Sequence, residues 1–326
     1  MSEDPSGWSL TESDPQVFTQ LLRDLGVKGL QVDDLYSLDE DTLNSLKPVH
    51  ALIFLFKYVG GDEGEATSGV EVDPHDSGVW FANQVINNSC GTLAALNAVM
   101  NIKPQTSPHP EESIELGPEL ENLRDFGAAM ESLDLGHALS SHPLIREVHN
   151  SFSKSSPFSM DPSAFPEREK EDPYHFVAYV PINGVLYELD GLRKSPLMHA
   201  AYEGDEWLDH ARDTIQERIA TYPPGSVMFN LLAVRGAAIP RLTRLINDPQ
   251  VSDAEKMAYQ DQLFQEKTKA ERGDRENALR RHNLLPAVFA LLTAMGKSGK
   301  MEGIVNAARA SAKEKREKAA KQEQGQ

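Results

Sequence analysis

The single cysteine of the chain, Cys90, lies where the local sequence favours a reactive thiol. A polar stretch at 84–89 precedes it, and a run of small and apolar residues at 93–100 predicts a buried helix that begins at or near the thiol. The unpaired backbone N–H groups and the dipole at a helix N-terminus stabilise a thiolate. Cys90 is therefore a candidate nucleophile, although most single cysteines are only small core residues.

A predicted β-hairpin brings a histidine and an aspartate together. The strand-like runs at 175–181 and 185–190 flank Asn183-Gly184, and Asn-Gly is the strongest short hairpin signal. Because side chains alternate along a strand, the register set by this turn makes His175 and Asp190 diagonal neighbours on one face of the sheet. The alternative is that both are ordinary solvated residues at strand ends.

Cys90, His175 and Asp190 have the chemical types that amide hydrolysis by a thiol requires. The thiolate attacks a carbonyl carbon, the imidazole holds the thiolate and protonates the leaving amine, and the carboxylate orients the imidazole. The backbone N–H of Cys90 and the side-chain amide of Gln84 are candidate donors to the developing oxyanion. The set remains a suggestion at this point, because 10 histidines and 50 acidic residues offer many chance combinations.

Composition excludes several other classes of function. The formal net charge of −18 argues against nucleic-acid binding, and it is compatible either with a basic partner or with solubility alone. No apolar run is long enough to span a membrane, and no Cys/His cluster has metal-ligand spacing, so neither a membrane nor a metal is expected. One cysteine allows no internal disulfide and no signal-peptide pattern is visible, so the cytoplasm or the nucleus is the expected location.

The elements that must position these residues follow from local patterns. Asp14-Pro15 has the signature of a helix start, and the apolar run at 51–58 predicts a central strand. Further elements are predicted as helices at 118–133, 143–152 and 204–222, a strand at 227–234, and helical segments at 242–246, 253–272 and 280–292.

Two segments have a different character. Residues 151–173 are rich in Ser, Pro, Lys and Glu without a clear period, which is typical of a binding loop or lid, or else of a disordered segment. A boundary is expected after residue 236, and residues 237–326 predict a small helical appendage. Four of its apolar residues form either a partner surface or ordinary core, namely Leu284, Leu285, Phe289 and Leu292.

Several motifs together resemble the ubiquitin C-terminal hydrolase family of cysteine deubiquitinases. QVINNSCGT at 84–92 looks like the active-site motif of that family, HFVAYVP at 175–181 its histidine strand, and LYELDGL at 186–192 its aspartate motif. Residues 8–18 and 46–57 match as well, and RRHNLLP at 280–286 is similar to the C-terminal extension of the proteasome-associated member. The motifs are highly specific together, and the resemblance covers nearly the whole chain.

The resemblance implies a fold and a set of roles. The fold is papain-like α/β, with a central, mostly antiparallel sheet flanked by helices, a knotted backbone and an all-helical C-terminal extension. The catalytic domain would occupy 7–236, with a crossover loop at 151–173, and the extension 237–326. Cys90 would be the nucleophile, His175 the general base and acid, Asp190 its orienting residue and Gln84 the oxyanion-hole donor.

The implied function is cleavage of the amide or isopeptide bond after the C-terminal glycine of ubiquitin, without a cofactor. The implied partners are ubiquitin and its conjugates, the adaptor domain of a proteasomal ubiquitin receptor, and a chromatin-remodelling complex subunit. Two alternatives stay open: a catalytically idle ubiquitin-binding scaffold subunit, and an acyl-transfer enzyme on the same fold that acts on another substrate.

Overall fold

A computed structural model describes residues 7–57, 68–152, 174–204, 206–222, 229–282 and 285–299, with Gly303 and Asn306. The chain forms two compact units, Met1–Arg281 and His282–Gln326. Of the predicted crossover loop, residues 153–173 lie outside the described residues, so the predicted knot, which depends on the path of that loop, stays a prediction. Within the described part of the chain, no helix is both long and apolar enough to cross a membrane.

The first unit is built on a seven-stranded sheet in which every paired strand is antiparallel. The strand order is β1-β7-β2-β4-β5-β6-β3. In chain order, the strands are β1 Leu30–Asp34, β2 Val49–Lys57, β3 Val70–Glu71, β4 Tyr174–Ile182, β5 Val185–Leu189, β6 Leu197–Ala201 and β7 Phe229–Gly236. The predicted central strand is β2, whose apolar run is buried because helices cover both faces of the sheet.

Helices cover the sheet on both faces and continue into the second unit. They are α1 Pro15–Asp24, α2 Glu40–Leu46, α3 Pro74–Ser77, α4 Cys90–Val99, α5 Pro118–Gly127, α6 Ser132–Ser141, α7 Pro143–Ser151, α8 Trp207–Ala220, α9 Ala238–Asn247, α10 Asp253–Arg281 and α11 Leu285–Lys297. One hydrophobic core lies between the sheet and α1 and α4–α7, and a second lies between the sheet and α2 and α8. The strands β3 and β6, the short α3 and the helix α6 were not predicted from the sequence.

The β4–β5 hairpin has the predicted register. Asn183 and Gly184 both have positive φ, 51° and 80°, which is the backbone of a type I′ turn and explains the Asn-Gly pair. Pairing runs from Ile182 opposite Val185 to Ala178 opposite Leu189, and the proline within β4 does not shift it. The start of β4 and the residue after β5 therefore lie close together, which is where the active-site prediction needs them.

The helix α1 begins as predicted. Pro15 is its first residue, and the Asp14 side chain accepts a hydrogen bond from the Gln16 backbone N–H at 2.8 Å. Its apolar stripe is fully buried against the core. This start matters for the site because α1 packs against the helix that begins at Cys90.

The compact unit extends past residue 236, where the sequence predicted the end of the catalytic domain. Pro240 contributes to the boundary signal, but it lies in the first turn of α9, where a missing N–H costs no helical hydrogen bond. Both α9 and α10 belong to the first unit. The predicted helical stretch at 280–292 is divided between α10 and α11, and Pro286 fits the first turn of the latter.

Candidate active site

Cys90 is the first residue of α4, directly after a 3₁₀ turn at Asn87–Ser89. The thiol-bearing residue is buried, with 9% of its surface exposed, and every residue of α4 is buried around it. The predicted position at the N-terminus of a buried helix is confirmed. The backbone N–H groups of the first helical turn have no partners within the helix itself, so they are available to stabilise negative charge at this point.

The hairpin brings His175 and Asp190 into direct contact. His175 Nε2 donates a hydrogen bond to Asp190 Oδ1 at 2.6 Å, and both residues are at most 5% exposed. The backbone N–H of Leu192 donates to the same carboxylate oxygen at 2.9 Å. The predicted neighbour relation is confirmed, and the reading of both residues as solvated strand ends is wrong.

The electrostatics of the pair favour the charged forms of both residues. Burial lowers the pKa of His175, but hydrogen bonds and charges from Asp190 and Cys90 outweigh it and raise the pKa to about 9. Burial raises the pKa of Asp190, but the hydrogen bond and charge of His175 outweigh burial and hold the pKa below its usual range. The structure therefore brings Cys90, His175 and Asp190 together, with the imidazole hydrogen-bonded to both other members.

Gln84 lies beside the aspartate end of this set. Its backbone N–H donates to the Gly191 carbonyl at 2.7 Å, which ties the segment before Cys90 to the residue after Asp190. Its side-chain Nε2 donates to the carbonyls of Ile86 and Asn87 at 3.0 and 2.9 Å. Donation to an oxyanion requires one of these N–H groups to turn toward the substrate, so the predicted role of Gln84 stays a prediction.

The N-terminal segment supports the first turn of α4. Buried His149, on α7, accepts a hydrogen bond at Nδ1 from the Thr92 hydroxyl at 2.7 Å and donates from Nε2 to the Ser9 carbonyl at 2.7 Å. Asn88 Nδ2 donates to the Trp8 carbonyl at 2.9 Å. Residues far apart in sequence thus hold the turn that carries Cys90. Sequence spacing offered no signal for this role of His149.

A second buried ion pair lies next to the His175–Asp190 pair and was not predicted. Arg218 Nη1 donates to Glu188 Oε1 at 2.8 Å, and the Glu188 side chain is fully buried. The one sequence signal for it was a charged residue in the otherwise apolar strand β5. Nothing in the local sequence pointed to Arg218 on α8.

Two further predictions concern residues outside this site, the apolar residues of the C-terminal appendage and the absence of a metal site. Phe289 and Leu292 on α11 are 63% and 45% exposed. Leu284 and the side chain of Leu285 lie outside the described residues. Among the described residues, no group of three or more His, Cys, Asp and Glu is arranged to hold a metal ion.

The site consists of a buried thiol at the start of a helix, hydrogen-bonded to an imidazole that a carboxylate orients. It lies on an antiparallel sheet between helices. This combination defines a cysteine hydrolase of the papain-like type. The family described as ubiquitin carboxyl-terminal hydrolase, family 1, matches residues 8–220, and a second, described as ubiquitin carboxyl-terminal hydrolases, matches residues 257–301. The chain belongs to the ubiquitin carboxyl-terminal hydrolase family and is a cysteine-type ubiquitin hydrolase with a C-terminal extension.

Individual relatives support the same assignment. Ubiquitin carboxyl-terminal hydrolase ubh-4 of Caenorhabditis elegans is 38% identical over 96% of this chain and 94% of its own length. Ubiquitin carboxyl-terminal hydrolase isozyme L5 of Dictyostelium discoideum is 41% identical over 72% of this chain and 63% of its own length. A crystal structure of Trichinella spiralis UCH37 bound to ubiquitin vinyl methyl ester is 32% identical, with a TM-score of 0.62, and the match covers 84% of this chain and 99% of that one. The predicted fold class is confirmed.

Proposed function

We propose that this chain removes ubiquitin from conjugates by cleaving the amide or isopeptide bond after its C-terminal glycine, with Cys90 as the nucleophile. The observation that carries the proposal is the contact of His175 with both Cys90 and Asp190 inside a buried site. Support for the substrate comes from the family match and from the related UCH37 crystal structure, which holds a ubiquitin derivative.

The geometry supports a two-step mechanism. The Cys90 thiolate attacks the carbonyl carbon of the terminal glycine. The backbone N–H of Cys90 donates to the resulting oxyanion, and so does the Gln84 amide once it has turned away from the Ile86 and Asn87 carbonyls. The His175 imidazolium gives its proton to the leaving amine, which departs as a thioester forms. His175 then removes a proton from water, the water attacks the thioester, and the carboxylate product leaves. Asp190 keeps the His175 ring in the required tautomer throughout.

Turnover of a fluorogenic ubiquitin C-terminal amide tests the proposal. The wild type is expected to release the fluorophore, and Cys90→Ala is expected to abolish release while still binding ubiquitin. A ubiquitin with a C-terminal electrophile is expected to add covalently to the wild type but not to Cys90→Ala. No turnover by the wild type, with its adaptor present, favours the scaffold alternative. Turnover of other acyl substrates without ubiquitin trapping favours the acyl-transfer alternative.

Regulation through the second unit is a separate part of the proposal. The exposed Phe289 and Leu292 of α11 are proposed to bind the adaptor domain of a proteasomal ubiquitin receptor, and a related subunit of a chromatin-remodelling complex is proposed to compete for the same surface. These partners imply a cytoplasmic and nuclear location. Support comes from the family match at 257–301 and from the apolar composition of α11.

Substitution of Phe289 tests the adaptor surface. Phe289→Asp is expected to abolish adaptor binding in a titration, because it places a charge on the apolar contact, while ubiquitin amide turnover by the free enzyme is preserved. Phe126→Asp is the matched control, because Phe126 is a 70% exposed phenylalanine on α5 of the first unit. Equal adaptor affinity of wild type and Phe289→Asp contradicts the proposed surface.

A further inference from the structure

The buried ion pair between Glu188 on β5 and Arg218 on α8 is adjacent to the proposed catalytic pair. Glu188 has no exposed surface and Arg218 is 6% exposed. The second carboxylate oxygen of Glu188 accepts a hydrogen bond from His199 Nε2 at 3.1 Å, so both oxygens are occupied. A buried ion pair is usually no more stabilising than apolar residues of the same volume, so its presence calls for a reason other than stability.

Arg218 reaches the catalytic histidine through one aromatic ring. Its guanidinium carbon Cζ lies 4.0 Å from the centroid of the Phe56 ring. Phe56 is paired with His175 across β2 and β4, and the two rings meet edge to face, with centroids 5.8 Å apart and planes at 90°. Guanidinium, phenyl ring and imidazole therefore form a continuous stack that joins α8 to the start of β4.

The stack restrains a motion that the hydrogen bond to Asp190 permits. The hydrogen bonds of His175 with Asp190 and Cys90 set the direction of the imidazole, but they still let the plane of the ring tilt. The perpendicular ring of Phe56 limits that tilt, and Glu188 fixes the guanidinium that lies over the Phe56 ring. The positive charge of Arg218 also contributes to the lowered pKa of Asp190, after the larger effects of burial and of His175.

We propose that Arg218, anchored by Glu188, is a positioning residue that holds the His175 ring toward Cys90 through the intervening Phe56. The inference rests on the proposed function, since it assigns His175 the role of proton carrier. Its distinguishing consequence is a loss of catalytic rate without a loss of substrate binding, because neither Arg218 nor Phe56 needs to touch ubiquitin to act.

The test compares single and double variants of the full chain. Glu188→Gln or Arg218→Met alone leaves one buried charge without its partner and is expected to lower the melting temperature. The double variant removes both charges and is expected to regain much of that loss. Its kcat on the ubiquitin amide is nevertheless expected to be at least about tenfold below that of the wild type, with KM unchanged, because His175 is less well oriented.

A second readout needs no ubiquitin. Alkylation of Cys90 by iodoacetamide at neutral pH reports the thiolate that His175 maintains, and it is expected to slow in the double variant. Phe56→Leu, which removes the ring and keeps an apolar side chain, is expected to reproduce both effects even if the double variant folds poorly. The matched control is Glu112→Gln with Arg244→Met, an ion pair away from the site, which is expected to change neither rate.

The outcomes separate the two proposals. Rates of turnover and alkylation within about twofold of the wild type, in the folded double variant or in Phe56→Leu, overturn the positioning role and leave the ion pair a structural feature. A wild type that fails to cleave the ubiquitin amide, together with slowed alkylation in the variants, overturns the proposed substrate while the positioning role stands.

Discussion

At the scale of single residues, His175 is distinguished by its two partners. Burial disfavours its charged form, yet Asp190 and Cys90 together raise its pKa to about 9. The imidazolium is therefore the favoured form of His175 at neutral pH, in contact with the side chain of Cys90. Activity should decline at alkaline pH as the imidazolium loses its proton. The apparent pKa of this decline belongs to the coupled pair rather than to one residue.

Replacement of the orienting carboxylate should change the pH at which activity declines on the alkaline side. Asp190→Asn removes a negative charge that raises the pKa of His175, so the imidazolium loses its proton at a lower pH. We expect the alkaline limb of kcat/KM for the ubiquitin amide to shift to lower pH and kcat to fall by roughly 10²-fold. Measurement of pH–rate profiles of both proteins checks this. An alkaline limb that stays in place or moves upward contradicts the assigned interaction.

His149 should make folding sensitive to mild acid. Burial lowers its pKa, so the folded state holds the neutral ring while an unfolded chain takes up a proton below about pH 6.5. The stability due to this residue is complete above that value and is lost as the pH falls toward the folded-state pKa. Between pH 7.5 and 5.5, the free energy of unfolding of the wild type is expected to fall more than that of His149→Gln. Urea titrations at both values check this, and equal losses would refute it.

At the scale of elements, short sequence motifs predicted the structures that depend on neighbouring residues, such as turns. Asn183-Gly184 determined the hairpin register, and with it the meeting of His175 and Asp190, because positive φ at two successive residues permits few turns. The Arg218–Glu188 pair joins a helix to a strand across 30 residues of sequence, so no spacing rule reveals it. The full length of α10 was missed because its charges lie all around the helix and leave no apolar stripe.

The helix α6 approaches the active-site segment through a glycine. A Cβ on Gly136 would lie 2.1 Å from the carbonyl oxygen of Asn83, the residue before Gln84. Backbone atoms cannot yield as a flexible side chain can, so the helix and the segment must separate. Gly136→Ala is expected to lower the free energy of unfolding by about 1–3 kcal/mol and to lower kcat through displacement of Gln84.

The matched control for this substitution is Gly296→Ala on α11, where a Cβ meets no atom within 4 Å. It is expected to leave stability unchanged or to raise it by up to about 1 kcal/mol, because alanine favours a helix over glycine. Thermal unfolding and ubiquitin amide turnover of both variants provide the comparison. Wild-type stability of Gly136→Ala would show that α6 does not constrain the segment before Cys90.

At the scale of the whole molecule, α10 is a structural part of the catalytic unit. Buried Asp33 on β1 forms ion pairs with Arg235 on β7 and Lys269 on α10, and Arg235 also pairs with Glu266 on α10 at 2.7 Å. Burial raises the pKa of Asp33, but the charges of Arg235 and Lys269 outweigh it and lower the pKa. Two strands at the edge of the sheet thus share their buried charges with a helix from beyond the predicted domain boundary.

The same helix, α10, packs against α1 near the start of the chain. Asn277 Nδ2 donates to the Gln16 carbonyl at 2.9 Å, and Arg280 pairs with Asp14, the cap of α1, at 2.6 Å. Arg281, the last residue of the unit, places its guanidinium carbon 4.6 Å from the ring centroid of Phe152, at the end of α7. The family match at 257–301 therefore begins on a helix that supports the catalytic fold and continues into the second unit.

Two truncations distinguish a boundary at residue 236 from one at residue 281. A chain of residues 1–281 keeps the ion-pair partners of Asp33 and Arg235, and it is expected to unfold cooperatively near the wild-type temperature and to cleave the ubiquitin amide. A chain of residues 1–236 loses Glu266 and Lys269, which leaves buried charge on β1 and β7 less well compensated and exposes the α1 surface under α10. Because the shorter chain also loses the buried Ala238 and Leu242 of α9 and the cover that α10 gives to α1, it is expected to melt at a clearly lower temperature. Calorimetry of both chains at one pH decides between the two boundaries. Equal melting temperatures would mean that α9 and α10 contribute little to the stability of the fold. The boundary predicted from the Gly236-Ala237-Ala238 segment would then be the end of the stable unit.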